Sequence, residues 1–233
     1  MPSFEVTVKE SWKETPTVHA IRCEKPQGFS FKAGQFCIVQ LPVGAGTDER
    51  NFSICSSPAK SFLEFATRTG REESDFKKSF EALKSGDKVS LMGPFGKFCL
   101  DDKAGTHAML CGGIGVTPLK SMLEGAVEER REGKFFLFYS NRSDQDIAFK
   151  KEFDGITASN VKVVHTITEP TQAWKGEVGR INQEILKKYL GDLQEPSYYI
   201  CGPPGMVQGM RDLLQKAGVA GDKVRAEKFT GYK

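Results

Sequence analysis

Two stretches of this chain join residue types capable of chemistry to a strand–turn–helix pattern. The first is Met109-Leu110-Cys111-Gly112-Gly113-Ile114-Gly115-Val116-Thr117-Pro118. The apolar run His107 to Cys111 fits a buried strand, and Leu119, Met122, Leu123 and Ala126 recur at helical spacing behind it. Pro118 suits a first helical turn, where a missing N–H costs nothing. Glycines at 112, 113 and 115 let backbone N–H groups at a helix start come close to a ligand, most often a phosphate. The spacing Gly-Gly-x-Gly-x-x-Pro differs from the dinucleotide fingerprint Gly-x-Gly-x-x-Gly, so a tight turn without a ligand competes with this reading. The second stretch is Tyr198-Tyr199-Ile200-Cys201-Gly202-Pro203-Pro204-Gly205. Here a buried strand ends in a thiol, expected at the mouth of a sheet, and a helix follows. A structural cysteine beside a turn is the alternative.

A third junction, Phe138-Tyr139-Ser140-Asn141-Arg142-Ser143, bears on nucleotide choice. An acidic residue after such a strand binds the ribose 2′-hydroxyl of NAD, whereas an arginine accommodates the 2′-phosphate of NADP. Glu132 lies at the wrong end of the strand. Ser140 and Arg142 tilt the choice toward NADPH, although Asp144 or Asp146 could also reach the ribose.

Other chemistry is excluded by spacing. The six cysteines, at 23, 37, 55, 99, 111 and 201, are never closer than ten residues. No clustered zinc or iron–sulfur spacing exists. His19, His107 and His165 are scattered and form no metal set, so no metal is expected. A net charge of +3 gives no argument for nucleic acid. The basic pairs Lys77-Lys78, Arg130-Arg131 and Lys187-Lys188 read as solvated helix faces rather than a docking surface for an acidic protein. Neither a signal peptide nor a membrane span is apparent. Cysteines within apolar runs point to buried free thiols and a cytoplasmic, reducing setting.

The elements that must position these residues fall into two styles. Up to about residue 100 the pattern is many short strands: Phe4–Lys9, Val18–Glu24, Phe36–Leu41, Phe52–Cys55, Phe62–Thr67 and Lys88–Met92, with a helix at Phe76–Leu83. Pro42 to Asp48 reads as a loop. Such a series implies a small barrel or sandwich. After Gly93-Pro94-Phe95-Gly96, strands His107–Cys111, Phe135–Tyr139, Val161–Thr166, Tyr198–Cys201 and Val224–Phe229 alternate with helices Pro118–Arg131, Asp146–Phe153, Gln183–Leu190 and Pro204–Ala217. This alternation predicts a parallel sheet covered on both faces. Ligands of such sheets bind at the carboxyl ends of strands, which places functional residues just after Cys111, Tyr139, Thr166 and Cys201. The expected domains are 1–102, an antiparallel β-barrel, and 103–233, an α/β domain.

A last segment in the β half, Arg50-Asn51-Phe52-Ser53, ties the motifs together. Arg-x-(Tyr/Phe)-Ser resembles the flavin-binding motif of the ferredoxin–NADP reductase family. Gly93-Pro94-Phe95-Gly96, Gly112-Gly113-Ile114-Gly115-Val116-Thr117-Pro118 and Cys201-Gly202-Pro203-Pro204-Gly205 follow in that family's order and spacing. The resemblance implies an FNR-like fold, with an N-terminal FAD-binding barrel and a C-terminal NAD(P)-binding domain. Arg50 would neutralise a flavin phosphate, Phe52 would lie against the isoalloxazine or ribityl chain, and Ser53 would place its hydroxyl near flavin N5. Thr67 and Arg68 would follow the flavin and Ser74 would bind its pyrophosphate, a contact that favours FAD over FMN. The helix after Gly113 and Gly115 would face the nicotinamide dinucleotide, with Thr117 near its ribose, Cys201 near nicotinamide C4, and Gly202 and Pro203 binding the nucleotide. Trp174-Lys175-Gly176 and Gly179-Arg180-Ile181 border the family's nucleotide site and read here as structural. In the C-terminal Glu227-Lys228-Phe229-Thr230-Gly231-Tyr232, either Phe229 or Tyr232 would cover the flavin face, and Glu227 would supply a nearby carboxylate.

The function implied is hydride transfer from NAD(P)H to flavin, followed by electron delivery to a separate acceptor. Ferredoxin, flavodoxin or a similar redox partner fits. The chain lacks the cysteine cluster of relatives with a fused iron–sulfur domain, and of the electron-transfer subunit of dihydroorotate dehydrogenase. The alternative is a non-catalytic flavin- or nucleotide-binding sensor. The pairing of Arg50, Phe52 and Ser53 with Cys201 argues against it, because a binding module needs no thiol on the nicotinamide side.

Overall fold

A computed structural model describes residues 3–70, 74–101 and 105–230. The expected boundary between 102 and 103 lies outside the described residues, as does Tyr232. Strands β1 (Ser3–Thr15), β2 (Val18–Glu24), β3 (Phe36–Val43), β4 (Gly46–Ser53), β5 (Phe62–Arg68) and β6 (Lys88–Phe95) form one antiparallel sheet, with helix α1 (Asp75–Ala82) between β5 and β6. The strand order is β4-β3-β6-β1-β2-β5. Long β1 pairs with β6 through Ser3–Thr7 and with β2 from Val8 onward, with a register break between Val8 and Glu10. That break lets one strand turn a corner and serve both halves of the sheet. Beyond β4, the Cys55 N–H donates to Glu64 O at 2.8 Å, so the two outer strands meet and the sheet becomes barrel-like. Inside lie Val6, Ile21, Cys37, Val39, Phe52, Phe65, Phe76, Phe80 and Leu91.

The segment expected as a loop at Pro42 to Asp48 is instead a tight hairpin, with Val43 opposite Gly46 and Pro42 opposite Thr47. Pairing of β3 with β6 stops at Gln40. The missing N–H of Pro42 therefore falls where the strand has a neighbour on one side only, a position that tolerates proline.

The second sheet is parallel throughout. It contains β7 (Thr106–Gly112), β8 (Lys134–Asn141), β9 (Val161–Ile167), β10 (Glu177–Val178), β11 (Ser197–Gly202) and β12 (Val224–Lys228), in the order β10-β9-β8-β7-β11-β12. Helices α2 (Val116–Glu128), α3 (Lys150–Asp154), α4 (Gln183–Leu190) and α5 (Pro204–Lys216) cover it. Side chains alternate along each strand as the pleat requires. Met109, Cys111, Tyr199 and Cys201 join the buried cluster with α2, whereas Ala108, Leu110, Tyr198 and Ile200 join the one with α4 and α5. The chain runs outward from β7 to β10 and then returns to place β11 on the other side of β7. This reversal opens a crevice at the carboxyl ends of β7 and β11.

The helix expected over Asp146–Phe153 is split. A 3-10 turn at Asp144–Asp146 is closed by a capping box with Ser143, and α3 begins only at Lys150. Tertiary partners take the intervening N–H groups: Ala148 donates to the Tyr139 hydroxyl and Phe149 donates to Glu14 of β1. Backbone groups committed in this way cannot continue a helix.

The two halves pack through α2, whose positions 117, 120, 121, 124 and 128 share one face. Lys120 Nζ sits 3.0 Å from Glu64 on β5 and 2.8 Å from Glu124. Ser121 donates to Ser56 O at 2.7 Å, and Glu128 pairs with Lys60 and accepts from Ser57. The helix that starts at the glycine turn is thus also the one docked on the barrel.

Candidate active site

Two clefts meet where the barrel faces the carboxyl ends of β7 and β11. The first, of about 520 Å³, is lined from the barrel by Phe36, Arg50, Asn51, Phe52, Ser53, Ala66, Thr67, Ser74, Phe76 and Lys77. The α/β half closes it with Ile114, Thr117, Glu227, Lys228, Phe229 and Thr230. The second, of about 700 Å³, is lined by Gly112, Gly113, Ile114, Ser140, Asn141, Arg142, Asp146, Thr168, Glu169, Arg180, Ile181, Pro203 and Met206, with Thr17, Val18 and Arg68 from the barrel. Ile114 belongs to both.

In the first cleft, Arg50 extends from β4, 48% exposed at its side chain, pairs with Asp48 at 2.5 Å, and lies over the Phe76 ring. This exposed pair is weak and can exchange for a stronger anion. Ser53 ends β4 at 7% exposure. Phe52 borders the cleft, but its ring is committed to the barrel core, stacked on Phe80 at 4.9 Å and edge-on to Phe65. Little of that ring is left to lie along a flavin. Ser74 precedes α1 and its hydroxyl makes no capping bond, leaving it available to a ligand. Thr117 is buried and donates to Ile114 O at 3.0 Å, which braces the turn. Phe229 is held at the cleft by its N–H, which donates to Gly202 O at 3.0 Å. Phe229, one of the two aromatic candidates for covering a flavin, lines the cleft. Glu227 also lines it, and burial raises its carboxyl above the ordinary value.

Cys201 differs from the expectation of a thiol at the sheet's mouth. It is fully buried, lines neither cleft, and its thiol is pushed well above its ordinary pKa by burial and then by Glu227 and Cys111. It stands in register with Cys111 on one side and Glu227 on the other. The pleat explains this: Cys201 points to the α2 face, behind the turn at Gly202.

The glycine turn works differently from the simplest reading of its sequence. Gly113 has φ +53° and open space around it, the conformation and clearance of a ligand-facing turn. Gly115 is instead a packing residue. A Cβ there would lie 2.5 Å from Cys201 O and 2.6 Å from Gly202 Cα. Its hydrogen lets the turn after β7 touch the end of β11, bringing the two motifs together.

Thr17, Thr168 and Glu169, which sequence reasoning missed, line the second cleft, as do Ile114 and Asn141 from within the motifs and Asp146, the alternative carboxylate for the ribose. Thr168 and Glu169 do fall just past Thr166, where the strand-end rule pointed. Asn141 lines the cleft, and its side-chain amide lies beside the buried Tyr139 hydroxyl. Arg142 pairs with Glu169 at 2.8 Å. Of the motifs read as structural, Trp174 is so: its indole N–H donates to Glu177 O and Gly176 lies against its ring. Arg180 instead reaches the cleft wall. Among the described residues no group of ligands is arranged for a metal, and no helix is long and apolar enough to cross a membrane.

Fold and site together define a two-domain protein with a barrel cleft abutting the strand-end crevice of a parallel sheet. Residues 109–212 match the oxidoreductase NAD-binding domain family. NADH-cytochrome b5 reductase 2 of Meyerozyma guilliermondii is 34% identical over 137 residues, 56% of this chain and 47% of that protein. The ferredoxin reductase in carbazole 1,9a-dioxygenase superposes with a TM-score of 0.84 at 25% identity, covering 98% of this chain and 69% of that one. A ferredoxin NADP+ reductase from Neisseria gonorrhoeae with bound FAD and NADP shares the fold, with a TM-score of 0.86 at 21% identity over 98% of this chain and 99% of that one. Over residues 109–212 the chain carries the oxidoreductase NAD-binding domain, and its two-domain fold is that of the ferredoxin–NADP reductase-like flavoprotein reductases. The chain spans about half or less of the length of the curated relatives it matches.

Proposed function

We propose that this chain is an NAD(P)H-dependent flavoprotein reductase, with FAD held by the half assigned to 1–102 and the nicotinamide nucleotide by the half assigned to 103–233. The observation that carries this reading is the shared wall at Ile114. A ligand in each cleft meets the other there, as direct hydride transfer requires. Bound FAD would supply an acceptor for hydride and a donor of single electrons. The chain's own residues bind and orient. Arg50, released from Asp48, neutralises a flavin phosphate, and Ser74 contributes its uncapped hydroxyl to the pyrophosphate. Asn51, Thr67 and Arg68 border the flavin on the barrel side, and Thr117 and Phe229 close it from the other. Ser53, in the lining of the same cleft, would offer its hydroxyl to the reacting face of the flavin. Glu227 holds its proton to higher pH than an exposed glutamate because burial disfavours its charge. Gly112, Gly113, Gly115 and Pro203 shape the nucleotide turn, Cys201 and Gly202 back it, and Ser140 and Arg142 face the ribose end.

The acceptor is a separate molecule, a redox protein or a small compound. The cysteine spacing offers no cluster of its own, and relatives are named for reduction of ferredoxin and of cytochrome b5. A cytoplasmic, reducing setting suits six free cysteines, five of them buried.

Anaerobic titration of the yellow protein with NADPH, and separately with NADH, tests the reading through flavin absorbance. Bleaching by either donor is expected. Bound flavin that neither donor bleaches would overturn catalysis, and a protein that takes up no FAD would overturn the cofactor. Ser53→Ala is expected to keep flavin bound while slowing reduction about tenfold or more in stopped flow, the scale of a lost oriented polar contact. Unchanged speed would remove Ser53 from the reacting face.

A further inference from the structure

The second cleft carries more charge than its sequence motif announces. Arg142 stands at the end of β8 and Glu169 just past the end of β9, and both line the cleft. Their contact is double. The Arg142 Nε donates to the Glu169 carboxylate at 2.8 Å, and the Glu169 N–H donates to Arg142 O at 2.7 Å. The Thr168 N–H donates to Asn141 O at 3.1 Å and extends the stitching by one residue. Glu169 is therefore fixed in front of Arg142 by backbone as well as charge. Both side chains remain mostly exposed, 71% and 61%, so the ion pair is open to competition from a ligand. The other carboxylate on this wall, Asp146, is already engaged by the Ser143 N–H and hydroxyl and by Thr17.

We propose that Glu169 is the specificity-determining residue of the nucleotide cleft: as the counter-ion of Arg142, it limits acceptance of a ribose 2′-phosphate and supports a free 2′-hydroxyl. A 2′-phosphate dianion that approaches Arg142 must also approach the Glu169 carboxylate, a like-charge contact. A 2′-hydroxyl instead finds an acceptor in Glu169. Arg142 alone reads as a phosphate receptor, and the pair reads as a balance between NADPH and NADH. This inference rests on the reading of the cleft as a nucleotide site.

The test measures affinity by calorimetry on the full chain, with 2′,5′-ADP and 5′-AMP as probes, so it does not depend on turnover. Glu169→Gln is expected to tighten 2′,5′-ADP about tenfold and to leave 5′-AMP unchanged or weaker, the scale of one charge-assisted contact. Arg142→Ala on the Glu169→Gln background is expected to abolish that gain, because Glu169 acts through Arg142. Equal effects of Glu169→Gln on both probes would overturn the proposal. So would a gain that survives removal of Arg142, which would assign the phosphate to Arg180 instead. A native chain that binds neither probe would overturn the nucleotide reading itself, a distinct failure.

Discussion

Gly115→Ala is expected to be among the most damaging single-methyl additions in the molecule. Nothing in the local conformation demands glycine, since its φ of −61° and ψ of −5° are helical. On conformational grounds alanine should stabilise the chain by about 0.4–1 kcal/mol through the unfolded state. The space decides against it. The added carbon would lie 2.5 Å from Cys201 O, 2.6 Å from Gly202 Cα and 2.7 Å from Cys201 C, all backbone atoms of a buried strand that cannot rotate away. Overpacking of this kind costs about 3 kcal/mol, more than the conformational gain. For a chain of this size that lowers the melting temperature by roughly 6–12 °C. The seam it opens joins the turn that carries Thr117 to the strand end that carries Gly202, so nucleotide affinity should fall as well. Gly113→Ala is the control. It strains a φ of +53° but meets nothing within 4 Å, so its cost should be about 1–2 kcal/mol with no steric part. Thermal melts and nucleotide titrations of both variants check this. A Gly115→Ala protein as stable as the parent would mean that the two strand ends are not in contact.

That contrast also shows what the sequence could reveal. Three glycines before a helix announced a ligand turn, and the strands on either side were legible from their apolar runs. The motif did not say that Gly113 faces open space while Gly115 exists for Gly202, nearly ninety residues away. Cys201 was placed at the right strand end but on the wrong side, because one residue of pleat decides between cleft and core. Proline and glycine mark loop and hairpin alike, so the loop expected over Pro42 to Asp48 and the hairpin found there differ only by the one-sided pairing of Leu41 to Val43. Arg142 was legible as a strand-end cation. Its partner Glu169 was not, since a neighbouring strand's register brings them together. Lys120 carried a signal that could have been used: it is the one charged residue within Val116–Leu123, a run buried throughout. A lysine at such a place requires a buried partner, although nothing local names Glu64.

Removing that lysine is the second large expectation. Lys120 and Glu64 are 3% and 0% exposed and lie at 3.0 Å across the domain interface. Burial alone would lower the Lys120 ammonium, but Glu64 and Glu124 outweigh it and hold the pKa above its ordinary value. The charged form is therefore the native one, and its stabilisation is lost only at strongly alkaline pH. Lys120→Met keeps the length and apolar stem but leaves two carboxylates without their shared cation. Arg22, 2.8 Å from Glu64, compensates one of them in part. Glu124, whose carboxyl is already raised by burial and whose Oε2 accepts no hydrogen bond, is left beside Glu64. Breaking a buried pair by removing one member costs about 3–5 kcal/mol, much more than an exposed bridge is worth. The deficit should depend on pH. A carboxyl with a raised folded-state pKa contributes most below its unfolded value and loses that contribution as pH rises through the folded value. The variant should therefore lie closest to the parent in acid and furthest from it at neutral pH. Urea unfolding at both pH values, followed by fluorescence of Trp12 near this interface, reads the effect. An unchanged midpoint at neutral pH would mean that Arg22 alone neutralises Glu64, and that the docking of α2 rests on Ser121 and Glu128 instead.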